Sequence, residues 1–152
     1  MTTNTATVTA EDRQALEAVV EQMLEDQQKV AENAGNYENA AVTASATVGP
    51  TGANVQGWIT YTRPGGPKIF LKTKITSYKG LAAAAGAWPI LGVLRSDEIG
   101  GKTGTFEASG GLFGGRLQAW YKGQPVFDPP LAFAGTPLPW EIKGEVTFEV
   151  HD

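Results

Sequence analysis

The chain has 152 residues and a formal charge of −4, a length that fits one domain. Hydrophobic residues make up 41% and charged residues 18%, enough to bury a core, while 19 glycines and 9 prolines exceed what a helical bundle tolerates. The absence of cysteine excludes disulfides and thiol catalysis, and the single histidine, His151, excludes a two-His metal site or a Ser-His-Asp triad.

Charge is unevenly distributed. Residues 10–34 hold seven acids against Arg13 and Lys29, whereas the rest holds nine acids and ten bases. No acid lies between Glu38 and Asp97, a stretch that contains Arg63, Lys68, Lys72, Lys74 and Lys79. The two regions can attract each other or simply form two solvated faces.

Residues 1–9 read as a flexible N-terminus. They carry no basic leader and no continuous apolar segment, so the chain is expected to be cytoplasmic, or exported without a cleaved signal peptide. Thr9 then precedes Ala10-Glu11-Asp12, an N-cap followed by acids that favour the positive end of a helix dipole. Leu16, Val19, Val20, Met23, Leu24 and Val30 recur at helical spacing. This predicts an amphipathic helix over 10–34, with Gly35 available for a left-handed stop. The helix is expected to cap one open end of a barrel, turning Leu16, Val20, Met23 and Leu24 inward and bringing its acids toward Lys68 and Lys79.

From Asn39 the period becomes two. Ala41–Val48 and Asn54–Thr62 read as strands around the turn Gly49-Pro50-Thr51-Gly52, with Val55, Gly57, Ile59 and Tyr61 on one face. Arg63-Pro64-Gly65-Gly66-Pro67 closes a second hairpin before the strand Lys68–Tyr78. One face of that strand carries lysines with Phe70 and Tyr78 between them, a pattern that can bind nucleic acid but more simply solvates the strand. No nucleic-acid partner is expected.

Ala82–Ala85 can begin a short helix, which Gly86 and Pro89 would interrupt. Trp88–Leu94 reads as a buried strand with Pro89 at its start or at a bulge. Thr103–Ala108, Gly115–Tyr121, Pro125–Phe127 and Leu131–Ala134 follow as short strands. The final segment alternates, with Ile142, Gly144, Val146, Phe148 and Val150 on the inner face. The fold expected is all-β: an antiparallel closed barrel of about eight strands over 39–152, preceded by one N-terminal amphipathic helix.

Recognised catalytic motifs fail on inspection. A phosphate loop ending at Gly101-Lys102-Thr103 would need glycine at position 96, which is Ser96. The glycines around Leu112-Phe113 lack the βαβ context of a dinucleotide site. Asp97-Glu98 is the interior acidic pair, and it reads as a turn. No metal, no cofactor and no catalytic residue is assigned.

The stretch Gly80-Leu81, Gly86-Ala87, Gly92-Val93-Leu94, Asp97 and Thr103-Gly104-Thr105-Phe106, continued by Leu117-Gln118-Ala119-Trp120-Tyr121, resembles the core of the virulence-associated (Vap) proteins. These are compact eight-strand barrels secreted by certain intracellular bacterial pathogens, and the resemblance covers about residues 55–135. It implies the barrel fold, while the acidic helix departs from the family pattern. A helix before a barrel is also similar in plan to cofactor-free cyclases of natural-product pathways, including Diels–Alderase-type enzymes, which hold a reactive chain in a near-attack conformer.

The aromatic residues can fill the core or line a pocket at the barrel mouth. On the second reading the chain binds a hydrophobic small molecule or surface. The expected lining is Tyr61, Trp88, Trp120, Phe106 and Met23, with Gln118 as a polar handle. Leu112-Phe113, between glycine pairs, is a candidate membrane or partner contact, and a homodimer is possible. The alternative function is a cofactor-free cyclase or isomerase acting inside the barrel.

Overall fold

A computed structural model describes residues 10–151. The expected flexibility of residues 1–9, the Thr9 cap and the direction of the Leu16 side chain lie outside the described residues. Helix α1 (Ala10–Glu32) is followed by strands β1 (Tyr37–Gly49), β2 (Gly52–Tyr61), β3 (Lys68–Gly80) and β4 (Ala82–Leu94). A short helix α2 (Ser96–Ile99) leads to β5 (Thr103–Gly111), β6 (Gly114–Tyr121), the short β7 (Gln124–Pro125), β8 (Phe127–Asp128) and β9 (Leu131–Phe133), and β10 (Trp140–His151).

The ten strands form one antiparallel sheet in the order β7-β6-β5-β10-β3-β2-β1-β4-β8, with β9 also pairing β6. Residues 124–134 close it. At one level Val126 N donates to Ala119 O (2.8 Å) and Val126 O accepts from Leu94 N (3.0 Å), tying β6 to β4. At the other level β9 pairs β6, and Ala134 N donates to Ala85 O (3.4 Å). Between these ties lie Pro129 and Pro130, which have no N–H to offer. The result is a nearly closed barrel of seven long strands and one broken ribbon.

Side chains fill the interior. Val42, Ile59, Ile69, Val93, Ile142 and Phe148 are all wholly inaccessible, as expected where one small barrel is packed by alternating residues. Tyr61 belongs to this core, and its hydroxyl donates to Leu94 O (2.6 Å). Two irregularities shape the wall. Thr76 is an extra residue in β3, since Lys143 pairs Ser77 while Gly144 pairs Ile75. Gly144 sits there because a Cβ would run into the Lys74 carbonyl and Phe106. Pro89 and Ile90 face the single residue Ala41, so Pro89 does occupy a bulge.

Several expectations change. Ala82–Ala85 is strand, continuous with Trp88–Leu94, because pairing to Ser45–Val48 of β1 overrides the helix propensity of alanine. Trp88 and Ile90 are exposed rather than buried, and Val150 is exposed at the end of β10. Gly35 does not adopt a left-handed conformation. The chain leaves α1 through a 3-10 turn at Ala34–Asn36, and the Asn33 side chain donates to Lys29 O (3.0 Å).

Candidate functional site

The site is built on the outer face of β6. Phe106 and Ala108 of β5 pair with Ala119 and Leu117 and turn inward, so their neighbours Arg116, Gln118 and Trp120 turn outward. Helix α1 runs over these three residues. Asp26 accepts from the Trp120 indole N–H (3.2 and 3.3 Å to its two oxygens), and Lys29 Nζ donates to Gly123 O (3.1 Å). Gln124 Nε2 donates to Lys29 O (3.1 Å) and to the Tyr37 hydroxyl (2.8 Å), while Asn33 Nδ2 donates to Gln124 Oε1 (3.2 Å). Burial raises the Tyr37 phenol above its ordinary pKa, and the Gln124 hydrogen bond partly offsets this.

The helix therefore lies along the barrel wall and does not cap an end. Val20, Met23 and Leu24 are exposed, contrary to the inward direction expected of them. Among the described residues no ion pair joins its acids to Lys68 or Lys79. Glu25 pairs with Lys29 of the same helix (3.1 Å), and Lys79 lies opposite Glu141 of β10. Among the described residues the attachment of α1 is carried by the polar contacts of Asp26, Lys29 and Asn33, with Met23 and Val30 beside them.

Beside this polar seam a narrow cleft of about 80 Å³ separates α1 from the closing ribbon. Met23, Gln27 and Val30 line it from the helix, Arg116 and Gln118 from β6, and Pro125, Phe127, Asp128, Pro129 and Pro130 from the ribbon. Asp26 also borders it, so an apolar floor carries a guanidinium and two carboxylates at its rim. The two prolines that interrupt the closure of the barrel thus form one wall of the cleft.

The six sequence-predicted residues do not share one pocket. Met23 and Gln118 meet in the cleft. Gln118 is buried and fully engaged: Nε2 donates to Phe127 O (2.9 Å), and Oε1 accepts from the Phe127 and Ala119 amides (both 3.0 Å). It replaces a missing strand partner for β8 and has little left for a ligand. Tyr61 and Phe106 are core residues. Burial pushes the Tyr61 phenol far above its ordinary pKa. Trp120 is held by Asp26 at the side of the helix, and Trp88 is exposed on β4 away from the cleft.

Sequence reasoning missed Val30, Arg116, Asp128 and Pro129-Pro130 as lining. Arg116 is the one charge on β6, and a proline pair inside a strand-rich region marks a break in pairing. Both signals were visible. Among the described residues no three His, Asp or Glu side chains come together as metal ligands. No helix among them is long and apolar enough to cross a membrane.

No protein-family model matches the chain, and no curated protein or solved structure is significantly similar to it.

Proposed function

We propose that this protein is a binding module for an apolar small molecule with one hydrogen-bonding end, seated in the cleft between α1 and the closing ribbon. The observation that carries this reading is the cleft itself, with Met23, Val30, Phe127 and three prolines around an apolar floor and Arg116 at its rim. Concave, mostly apolar sites with a few polar groups are where proteins take up small ligands. The filled interior supports binding at the wall and lends no support to a reaction chamber inside the barrel. Kinship with the virulence-associated barrels is part of the same proposal, resting on the resemblance over about residues 55–135.

The test is a titration with N-phenyl-1-naphthylamine, an uncharged apolar probe with one N–H donor, followed by its own fluorescence. Binding on the order of micromolar is expected for the unaltered chain, with a loss of about tenfold or more in Val30→Trp, which fills the cleft. Ile90→Ser, exposed on β4, should bind as the parent does. Equal binding by Val30→Trp overturns the reading.

A further inference from the structure

The pairings Val48–Ala82, Gly80–Trp140 and Gly110–Trp140 bring four connections to one end of the barrel. They are Pro50-Thr51, Leu81, Leu112-Phe113 and residues 134–139. None of them contains Asp, Glu, Lys, Arg or His. Their apolar side chains point outward: Phe113 is 101% exposed, Leu112 70%, Leu81 55% and Leu138 50%. The connections at the opposite end carry Arg63, Arg95, Asp97, Glu98, Lys102 and Lys122. Two ends of one small barrel thus present opposite chemistry to their surroundings.

We infer that the uncharged end docks onto the surface of a lipid bilayer. Three observations favour lipid over a protein partner. The exposed groups stand on separate projecting tips around a rim, and a fluid interface accommodates such prongs without matching pockets. The strand ends that carry two of the tips are paired, through Gly49–Gly52 and Gly111–Gly114, and Thr136 N donates to Gly111 O (2.8 Å), which limits the backbone that insertion has to dehydrate. Behind the rim, Tyr78 is half-exposed where an amphipathic ring meets headgroups. Level with it, Lys79 and Arg116 stand on either side of Glu141 in register, and Glu141 pairs with Lys143 (3.8 Å), so the belt behind the rim carries both signs. The uncharged tips precede this belt, and contact made through them would depend little on salt.

The test is co-sedimentation of the full chain with phosphatidylcholine vesicles, in low salt and in ~0.5 M salt. The chain is expected to sediment with vesicles equally in both. The double variant Leu112→Ser/Phe113→Ser, with an unchanged circular dichroism spectrum, should lose about tenfold in partitioning. Lys102→Ser, at the charged end, should behave as the parent does. Absence of vesicle binding overturns the inference, as does unaltered binding by the double variant. Binding that needs anionic lipid and disappears in salt also overturns it. A concentration-dependent dimer that the double variant splits, without vesicle binding, assigns the end to a second copy and overturns it too.

Discussion

Strand β10 and helix α1 carry equally clean amphipathic patterns, and the structure treats them oppositely. Trp140, Ile142, Val146 and Phe148 of β10 are buried, whereas Val19, Val20, Met23 and Leu24 of α1 remain exposed. The difference is geometric. The inner face of a barrel strand is enclosed by every other strand, while a helix on a convex wall touches it along a line. What holds α1 is a row of hydrogen bonds: Asp26 accepts from Trp120, while Lys29 donates to Gly123 and Asn33 to Gln124. An apolar stripe in sequence specifies which side is available for burial, and topology decides whether anything covers it.

This contrast can be broken or sharpened at three places. The largest effect is expected in β10. Phe148→Ala should lower the stability of the barrel by about 3–5 kcal/mol in chemical denaturation, the usual cost of emptying a buried aromatic site. A cost under ~1 kcal/mol would mean that the interior is not the tight core described.

A smaller effect concerns Tyr61. Tyr61→Phe should cost about 1 kcal/mol, through loss of the hydrogen bond to Leu94 O. The pH dependence has a defined sign. Because burial raises the folded-state pKa of Tyr61, its contribution is fully present below the unfolded value of about 10 and is lost as pH rises above it. The parent should therefore lose stability more steeply above pH ~10 than the phenylalanine variant. Equal slopes would contradict the buried phenol.

The smallest effect on global stability belongs to the helix. Asp26→Ala should change unfolding by no more than ~0.5 kcal/mol. Hydrogen exchange should nevertheless speed up across α1 while the β10 amides keep their protection, since local opening follows local contacts. Coupled loss of protection in both elements would show that the helix is integral to the barrel.

Much of the fold was legible because period-two alternation and glycine-proline turns are local signals. Parity alone puts Val55, Ile59 and Tyr61 on one face of β2, which the structure turns inward, and the missing N–H of Pro89 points to a strand start or a bulge, of which the bulge is found. Ala82–Ala85 was ambiguous because alanine favours a helix intrinsically, and only the pairing with β1 decides for strand. The candidate cleft was much less legible. Met23 and Arg116 are 93 positions apart in the chain, and their meeting depends on which wall the helix follows. Trp88 and Trp120 were grouped by residue type, but register sends them to different strands on different sides.

The position of β10 between β3 and β5 also sets a timetable for synthesis. When β3 emerges from the ribosome its eventual partner is still untranslated, and the wait from Gly80 to His151 is roughly 4–14 s at ~5–20 residues per second. During that interval β3 is an open template for pairing with another nascent chain. Its Lys68, Lys72, Lys74 and Lys79 repel other copies of the same strand until β10 arrives and sets Glu145 opposite Lys74 and Glu141 opposite Lys79. The same lysines thus disfavour self-pairing of the open strand, and two of them, Lys74 and Lys79, stand opposite glutamates once the barrel closes.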